Sequence, residues 1–196
     1  QWQMLPYEKQ LQYKHRQVEE VLKRIGKIPL PPFQNIIGAE QTKYYRNKLE
    51  YTFGNKRYLR KEELGDESIR GEQDVAGFHA RGFFDKVVDI QQCFLQEEPT
   101  NQLRLAIKAF AREKGWKFYD IRQHQGFLRN MQVRICTTGE VMVNIVVAEN
   151  DPQRIETLMA FVRKEFPGIT TLLYTINLKW NDRLIDLNPQ VHPGKG

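Results

Sequence analysis

Three observations predict an α+β fold built on an antiparallel sheet. Short runs between Tyr44 and Leu187 carry apolar residues with a period of two. Two longer runs, over about residues 99–114 and 151–166, switch to the helical period. From residue 77 onward the order reads strand, helix, hairpin, helix, strand, which is that of a split βαβ, ferredoxin-like sheet with its helices packed on one face. A helical arm precedes this region.

The arm spans residues 6–25. Pro6 suits a first helical turn, and Leu11, Val18, Val21, Leu22 and Ile25 recur at helical spacing. Gly26 stands where a C-terminal cap belongs. Lys9, Lys14, Arg16, Lys23 and Arg24 occupy the other face, interleaved with Glu8, Glu19 and Glu20. Ile28-Pro29-Leu30-Pro31-Pro32 then stops any helix and reads as an extended connector, which leaves the helix with no sequence-adjacent partner.

From Tyr44 to Phe53 the period is two. Tyr45, Leu49, Tyr51 and Phe53 point one way, while Tyr44, Arg46, Lys48, Glu50 and Thr52 point the other. A short strand is expected through Arg57, Tyr58, Leu59 and Arg60, and the acidic stretch 62–74 reads as an exposed loop. Gly77-Phe78-His79 and Phe84–Ile90 supply two more strands around an Arg81-Gly82 turn.

Leu103, Ile107, Phe110 and Ala111 mark the helix over 99–114. Strands are predicted at Phe118–Arg122 and Leu128–Cys136, and Thr137-Thr138-Gly139 turns the chain into Glu140–Ala148. Asp151 is a natural N-cap with Pro152 at the first helical position, and Ile155, Leu158, Met159, Val162 and Phe166 form the apolar stripe that follows. Pro167-Gly168 ends this helix. Strands at Thr171–Asn177 and Arg183–Leu187 complete the prediction.

A chain of 196 residues, 40% of them hydrophobic, can bury a core in one domain with an appendage. No apolar run approaches the ~18 residues of a membrane span, and the polar N-terminal stretch is no signal peptide. An opening at Gln1 instead of a methionine reads as a piece of something longer. Two cysteines, Cys93 and Cys136, are too few for a disulfide scaffold and fit a reducing, cytoplasmic setting. The net charge of +6 is uneven: residues 1–61 hold 13 Lys/Arg against 5 Asp/Glu, and the rest holds 17 against 19. A basic segment on a neutral body favours a polyanion partner, although a solvated helix face accounts for the charge alone equally well.

Most autonomous chemistries lack their signatures. There is no Gly-x-Gly-x-x-Gly after a strand, no P-loop, no His-Glu-x-x-His and no Gly-x-Ser-x-Gly elbow. The four histidines (15, 79, 124 and 192) show no metal-ligand spacing, and no carboxylate couple stands out. Nor does any strand match the aromatic motif with which an RNA-recognition sheet stacks bases, so contact through the basic strand is the better expectation.

Three segments carry a resemblance. They are Tyr44-Tyr45-Arg46-Asn47-Lys48-Leu49-Glu50-Tyr51-Thr52-Phe53; Gly77-Phe78-His79 with Phe84-Asp85-Lys86-Val87-Val88-Asp89-Ile90 running on to Cys93; and the opening Gln1-Trp2-Gln3 with Pro6-Tyr7-Glu8-Lys9-Gln10-Leu11 and Lys14. In this order they resemble the RNA uracil-C5 methyltransferases of the RumA kind, which modify bacterial 23S ribosomal RNA with S-adenosylmethionine. The match weakens between residues 96 and 170.

The resemblance implies the central, RNA-contacting portion of such an enzyme, cut before its cofactor-binding domain and inactive alone. Residues 1–37 would be a helical arm and connector that packs on the methyltransferase domain, 38–190 the central domain, and 191–196 the start of a linker. Arg46 and then Lys48 would contact RNA, with His79 and Lys86 on the same surface. Arginine suits phosphate through bidentate hydrogen bonds. Cys93 would be the fourth ligand of a 4Fe–4S cluster whose other three thiolates lie outside the chain, so neither cluster nor S-adenosylmethionine is expected on this piece alone. In the family a thiolate adds to C6 of a flipped-out uracil, C5 takes the methyl group and a carboxylate removes the C5 proton; those residues would lie beyond Gly196. No membrane and no obligate protein partner is expected. Two other readings are a standalone, non-enzymatic RNA-binding module and a protein-interaction domain.

Overall fold

Contacts divide the chain into two units, Gln1–Tyr45 and Arg46–Gly196. Residues 2–66, 69 and 73–193 are described by the structure, a computed structural model. The expected linker residues 194–196, with Lys195 among them, and much of the acidic loop lie outside the described residues.

In the first unit, α1 runs over Tyr7–Val21. Pro6 precedes it in an extended conformation, and the final turn, Leu22–Gly26, widens into a π turn closed by Lys27 in the left-handed region (φ 50°) instead of by Gly26. No α1 residue is buried. The connector nevertheless returns along the helix: Ala39 N–H donates to the Tyr7 hydroxyl at 2.6 Å, and Phe33 meets the His15 ring edge-on at 5.6 Å. The helix therefore does have a sequence-adjacent partner, its own connector, because prolines that forbid a helix leave the chain extended enough to lie along one.

Among the described residues, the second unit is a seven-stranded sheet with two long α-helices packed against it. Its strands are β1 Lys48–Gly54, β2 Val75–His79, β3 Val87–Asp89, β4 Leu128–Ile135, β5 Val141–Val147, β6 Thr171–Ile176 and β7 Gln190–Val191, in the order β3-β2-β1-β4-β5-β6-β7. Every pairing is antiparallel except β5 with β6. The fold is α+β and mostly antiparallel, but the strand order is not that of a split βαβ, in which another strand separates the two parallel ones. Here β5 and β6 pair directly, Val143 opposite Leu172 and Ile145 opposite Tyr174. The cause lies upstream: β1 occupies the β4 edge of the β4–β5 hairpin, with Leu49 opposite Val133, so β6 can add only beside β5.

Alternation on β1 sets the core. Leu49, Tyr51 and Phe53 are buried with Met131, Val133, Val143, Ile145 and Leu172 of the neighbouring strands. Against them pack Leu103, Ile107 and Ala111 of α2 (Thr100–Glu113) and Ile155, Leu158, Met159 and Val162 of α3 (Pro152–Glu165). Burial of each of the larger aliphatic side chains contributes about 1.5–3 kcal/mol. Phe110 and Phe161 stack at 4.0 Å where the helices meet. Asp151 caps α3 as expected, accepting from Arg154 N–H at 3.0 Å.

Several predicted strands shorten or vanish. The first begins at Lys48, not Tyr44, because Tyr44 sits at φ 57°, which a strand cannot contain. Arg57–Arg60 is reduced to a bridge from Arg57 to Val87, and Phe84–Ile90 to Val87–Asp89. Cys93 follows β3 by four residues and does not close it. Arg183–Leu187 is not extended; the closing strand is Gln190–Val191. Phe118–Arg122 becomes two parallel bridges, Tyr119 to Gly54 and Phe118 to Leu128, and then a turn organised by Asp120. Its carboxylate accepts from Arg122 N–H (2.7 Å), Gln123 N–H (3.1 Å), Asn55 Nδ2 (2.9 Å) and Lys56 Nζ (3.2 Å). Burial pushes this carboxyl up, but those donors outweigh it and hold it well below the usual aspartate range.

The chain leaves this turn through Gly126, at φ +114°, where a Cβ would lie 2.4 Å from the Phe118 carbonyl oxygen. Gly126→Ala should therefore cost about 2–4 kcal/mol through backbone strain and steric conflict. Urea denaturation should show the midpoint falling with an unchanged slope; an unaltered midpoint would mean that the loop accommodates a side chain.

Candidate nucleic-acid interface

The side of β1 opposite the core is polar. Lys48, Glu50 and Thr52 stand across from Arg134, Gln132 and Asn130 of β4, and the rows continue through Met142, Asn144 and Val146 of β5. Gln132 Nε2 donates to Glu50 at 3.0 Å, and Thr175 Oγ1 on β6 donates to Asn144 Oδ1 at 3.0 Å. These pairings satisfy the middle of the array, while at its end Lys48 and Arg134 are exposed cross-strand neighbours. Sequence reading missed Arg134, because strand register, not residue spacing, brings it to Lys48.

The predicted contact residues do not form one patch. Arg46 is exposed but lies two residues before β1 and does not share the strand with Lys48 as expected. Its backbone N–H donates to the Leu95 carbonyl at 2.8 Å, which moors it to the segment after Cys93. His79 ends β2 exposed; since Phe78 stacks on Tyr51 in the core at 5.0 Å, alternation directs His79 to the polar side with Lys48. Lys86 is half-buried in the β2–β3 hairpin, where its carbonyl accepts from Ala80 N–H at 2.8 Å.

Cys93 lies apart from all of these, buried in the core cluster beside Tyr51. Asn101 of α2 clamps its backbone: Asn101 Oδ1 accepts from Cys93 N–H at 2.8 Å, and Asn101 Nδ2 donates to the Cys93 carbonyl at 3.2 Å. Arg104, fully buried one turn further on, donates to the carbonyls of Ala76, Ile90 and Gln91. Burial of the Tyr51 hydroxyl, reinforced by the neighbouring Cys93 thiol, raises its pKa far above the ordinary phenol value. Among the described residues no three His, Cys, Asp or Glu side chains come together as metal ligands. Cys136, the other thiol, is exposed beyond β4. The donors present do not by themselves make a cluster site. Among the described residues, too, no helix is long and apolar enough to cross a membrane.

No protein-family model matches the chain. It is 42% identical, over 99% of its length, to an uncharacterized RNA methyltransferase of Bacteroides thetaiotaomicron and, over the same share, to one of Porphyromonas gingivalis. A third, from Chlorobaculum tepidum, is 34% identical over 92% of the chain. The chain spans 43%, 43% and 38% of these relatives' lengths. In fold it is similar to Pyrococcus abyssi tRNA (uracil-54, C5)-methyltransferase, crystallised with S-adenosyl-L-homocysteine, with a TM-score of 0.61 and 20% identity over 97% of this chain and 40% of that one.

Cys93 is buried and its backbone held by Asn101, whereas Cys136 is exposed, so Cys93 should be the slower thiol. Asn101→Ala should speed the reaction of Cys93 with Ellman's reagent by about tenfold, the effect of losing ~1.4 kcal/mol of local stability, and leave Cys136 unchanged. Equal Cys93 rates in the two proteins would show that the clamp does not restrain the loop. By sequence the chain is similar, along nearly its whole length, to less than half of each of these RNA methyltransferases.

Proposed function

We propose that the chain is the central, RNA-contacting portion of an S-adenosylmethionine-dependent 23S ribosomal RNA (uracil-5-)-methyltransferase of the cytoplasm. The observation that carries this reading is the 42% identity to proteins named RNA methyltransferases along 99% of the chain. The fold shared with a tRNA uracil-C5 methyltransferase supports the uracil-C5 assignment. The relatives are more than twice as long, and the reading assigns methyl transfer to the part of the protein outside these residues. S-adenosylmethionine, when bound there, supplies the methyl group.

In this reading the chain's own task is to hold the RNA. Arg46, Lys48 and Arg134 engage phosphates from the exposed end of the polar array, with His79 and Lys86 as separate, weaker contacts. A guanidinium pairs two phosphate oxygens in its own plane, whereas an ammonium acts as a point charge, so Arg46 and Arg134 orient the backbone and Lys48 adds attraction. Cys93 contributes one thiolate to a 4Fe–4S cluster whose three other ligands come from outside these residues. Burial and the Asn101 clamp support that role, since a ligand on a fixed backbone needs little ordering on binding.

Phosphate contacts weaken as salt rises. Replacing Arg46 and Lys48 together by alanine should flatten the log–log salt dependence of binding to a short single-stranded RNA by roughly one to two units, at ~0.7 per contact, and Arg134→Ala should add about half as much again. Lys164→Ala, an exposed charge on α3, should change little. Fluorescence anisotropy across a salt series is the measurement. An Arg46/Lys48 variant that is folded by circular dichroism yet keeps its affinity and slope would remove these residues from the interface.

A further inference from the structure

The two loops 118–126 and 177–183 meet around a pair of rings that the phosphate-contact reading does not use. The Trp180 indole and the His124 imidazole stack with centroids 4.8 Å apart and planes within 6°. Trp180 is 75% exposed, so its outer face is open. An indole this exposed would ordinarily sample several rotamers, because little apolar surface is gained by holding it.

Here it rests on a rigid foundation. His124 sits at φ 54° at the end of the Asp120 turn, where its backbone N–H donates to the Asp120 carbonyl at 2.7 Å. Its Nδ1 lies 3.1 Å from the Tyr119 hydroxyl. Tyr119 is covered by the Arg129 guanidinium, 4.2 Å from the ring centroid. Arg129 is buried and donates to Asp182 (2.9 Å) and to the carbonyls of Asn177 (3.2 Å) and Lys179 (2.7 Å), which flank the tryptophan. Asn177 pins the same loop, accepting from Lys179 N–H at 3.1 Å and donating to the Asn181 carbonyl at 2.9 Å. One buried arginine therefore fixes both loops, and both rings with them.

We infer that Trp180, backed by His124, is a stacking platform for an unpaired RNA base, with the exposed Gln123 and Gln125 on the same turn as His124 as candidates to read the base's edge. The inference rests on the RNA-contact reading above and extends it from phosphates to bases. Three features favour a base over a protein side chain. The platform is flat and already ordered, as sequence-tolerant base stacking requires. Its neighbours on the turn, Gln123 and Gln125, each carry one acceptor and two donor hydrogens, a set suited to base edges. The nearby charges are largely neutralised in pairs, Arg122 with Asp85 and Lys179 with Asp186, so attraction here does not depend on phosphate.

The test uses the full chain, a fluorescein-labelled oligouridylate and an abasic ribose-phosphate strand of equal length. Trp180→Ala should weaken oligouridylate binding about 5- to 150-fold, the span for one stacked base. It should leave the salt slope and abasic binding unchanged, while Trp180→Phe should restore most of the affinity. Oligouridylate should also quench tryptophan emission in the wild type and not in Trp180→Phe, which retains Trp2 and Trp116. Unchanged oligouridylate affinity in Trp180→Ala overturns the platform, including the case in which that variant loses a protein contact instead. An equal loss on both strands also overturns it. Failure of the wider RNA reading looks different: the wild type then binds neither strand.

Discussion

Much of the second unit hangs on the buried guanidinium of Arg104. From α2 it reaches the carbonyl of Ala76 on β2 and those of Ile90 and Gln91 after β3, and it lies over the Tyr51 ring at 5.3 Å. The edge strand β3, its neighbour β2, the loop to Cys93 and β1 are thereby tied to one helix. Burial lowers the arginine's own pKa, but a guanidinium starts so high that it stays charged. Backbone carbonyls that would otherwise be orphaned between a short edge strand and a helix gain a charged donor, which is stronger than a neutral one. One turn along the helix, Lys108 pairs with Asp89 at 2.7 Å, and Asp89 in turn accepts from Ala76 N–H at 3.1 Å. The three-residue strand β3, too short to be stable by pairing alone, is held from the helix side.

That anchorage lets β1 serve two purposes. Its odd-numbered residues belong to the core, and its even-numbered residues form the polar array with β4. A register slip of one residue would exchange the two sets, placing Lys48 and Glu50 in the core. The pairing of β1 with β4 over five positions, together with the Arg46 N–H bond to Leu95, makes such a slip costly. The position of the candidate contact residues is therefore set by packing on the far side of the sheet.

What could be read from the sequence follows the range of the interactions involved. Both helices of the second unit, the β4–β5 hairpin and β6 were legible because their signals are local: periodicity, Asp151-Pro152 at one helix start and Thr137-Thr138-Gly139 at the turn. The strand order was not legible. It depends on β1 occupying one edge of a hairpin some eighty residues away, and a pattern of alternation says nothing about which edge is taken. Phe118–Arg122 alternates like a strand, yet Asp120 can satisfy the local backbone N–H groups through its own carboxylate, and the turn wins. In the candidate site, Lys48 lies on the polar side of β1 as the alternation of Tyr44–Phe53 predicts. Arg134, Trp180 and His124 carried no signal of their own, because their significance comes from cross-strand register or from a buried arginine.

The same division bears on how RNA would be held. Phosphate contacts give affinity without sequence information, and base contacts give information with less affinity. In the proposed reading the two are separated within this unit: Arg46, Lys48 and Arg134 lie about the start of β1 and the end of β4, while Trp180 and His124 rise from loops at the opposite end of the same strands. A seven-residue strand such as β1 spans about 20 Å. An RNA engaging both ends must therefore run several nucleotides across the sheet, and the rigidity conferred by Arg104 and Arg129 keeps that spacing constant. Loosening either arginine would blur the distance between backbone and base contacts without removing any residue that touches RNA.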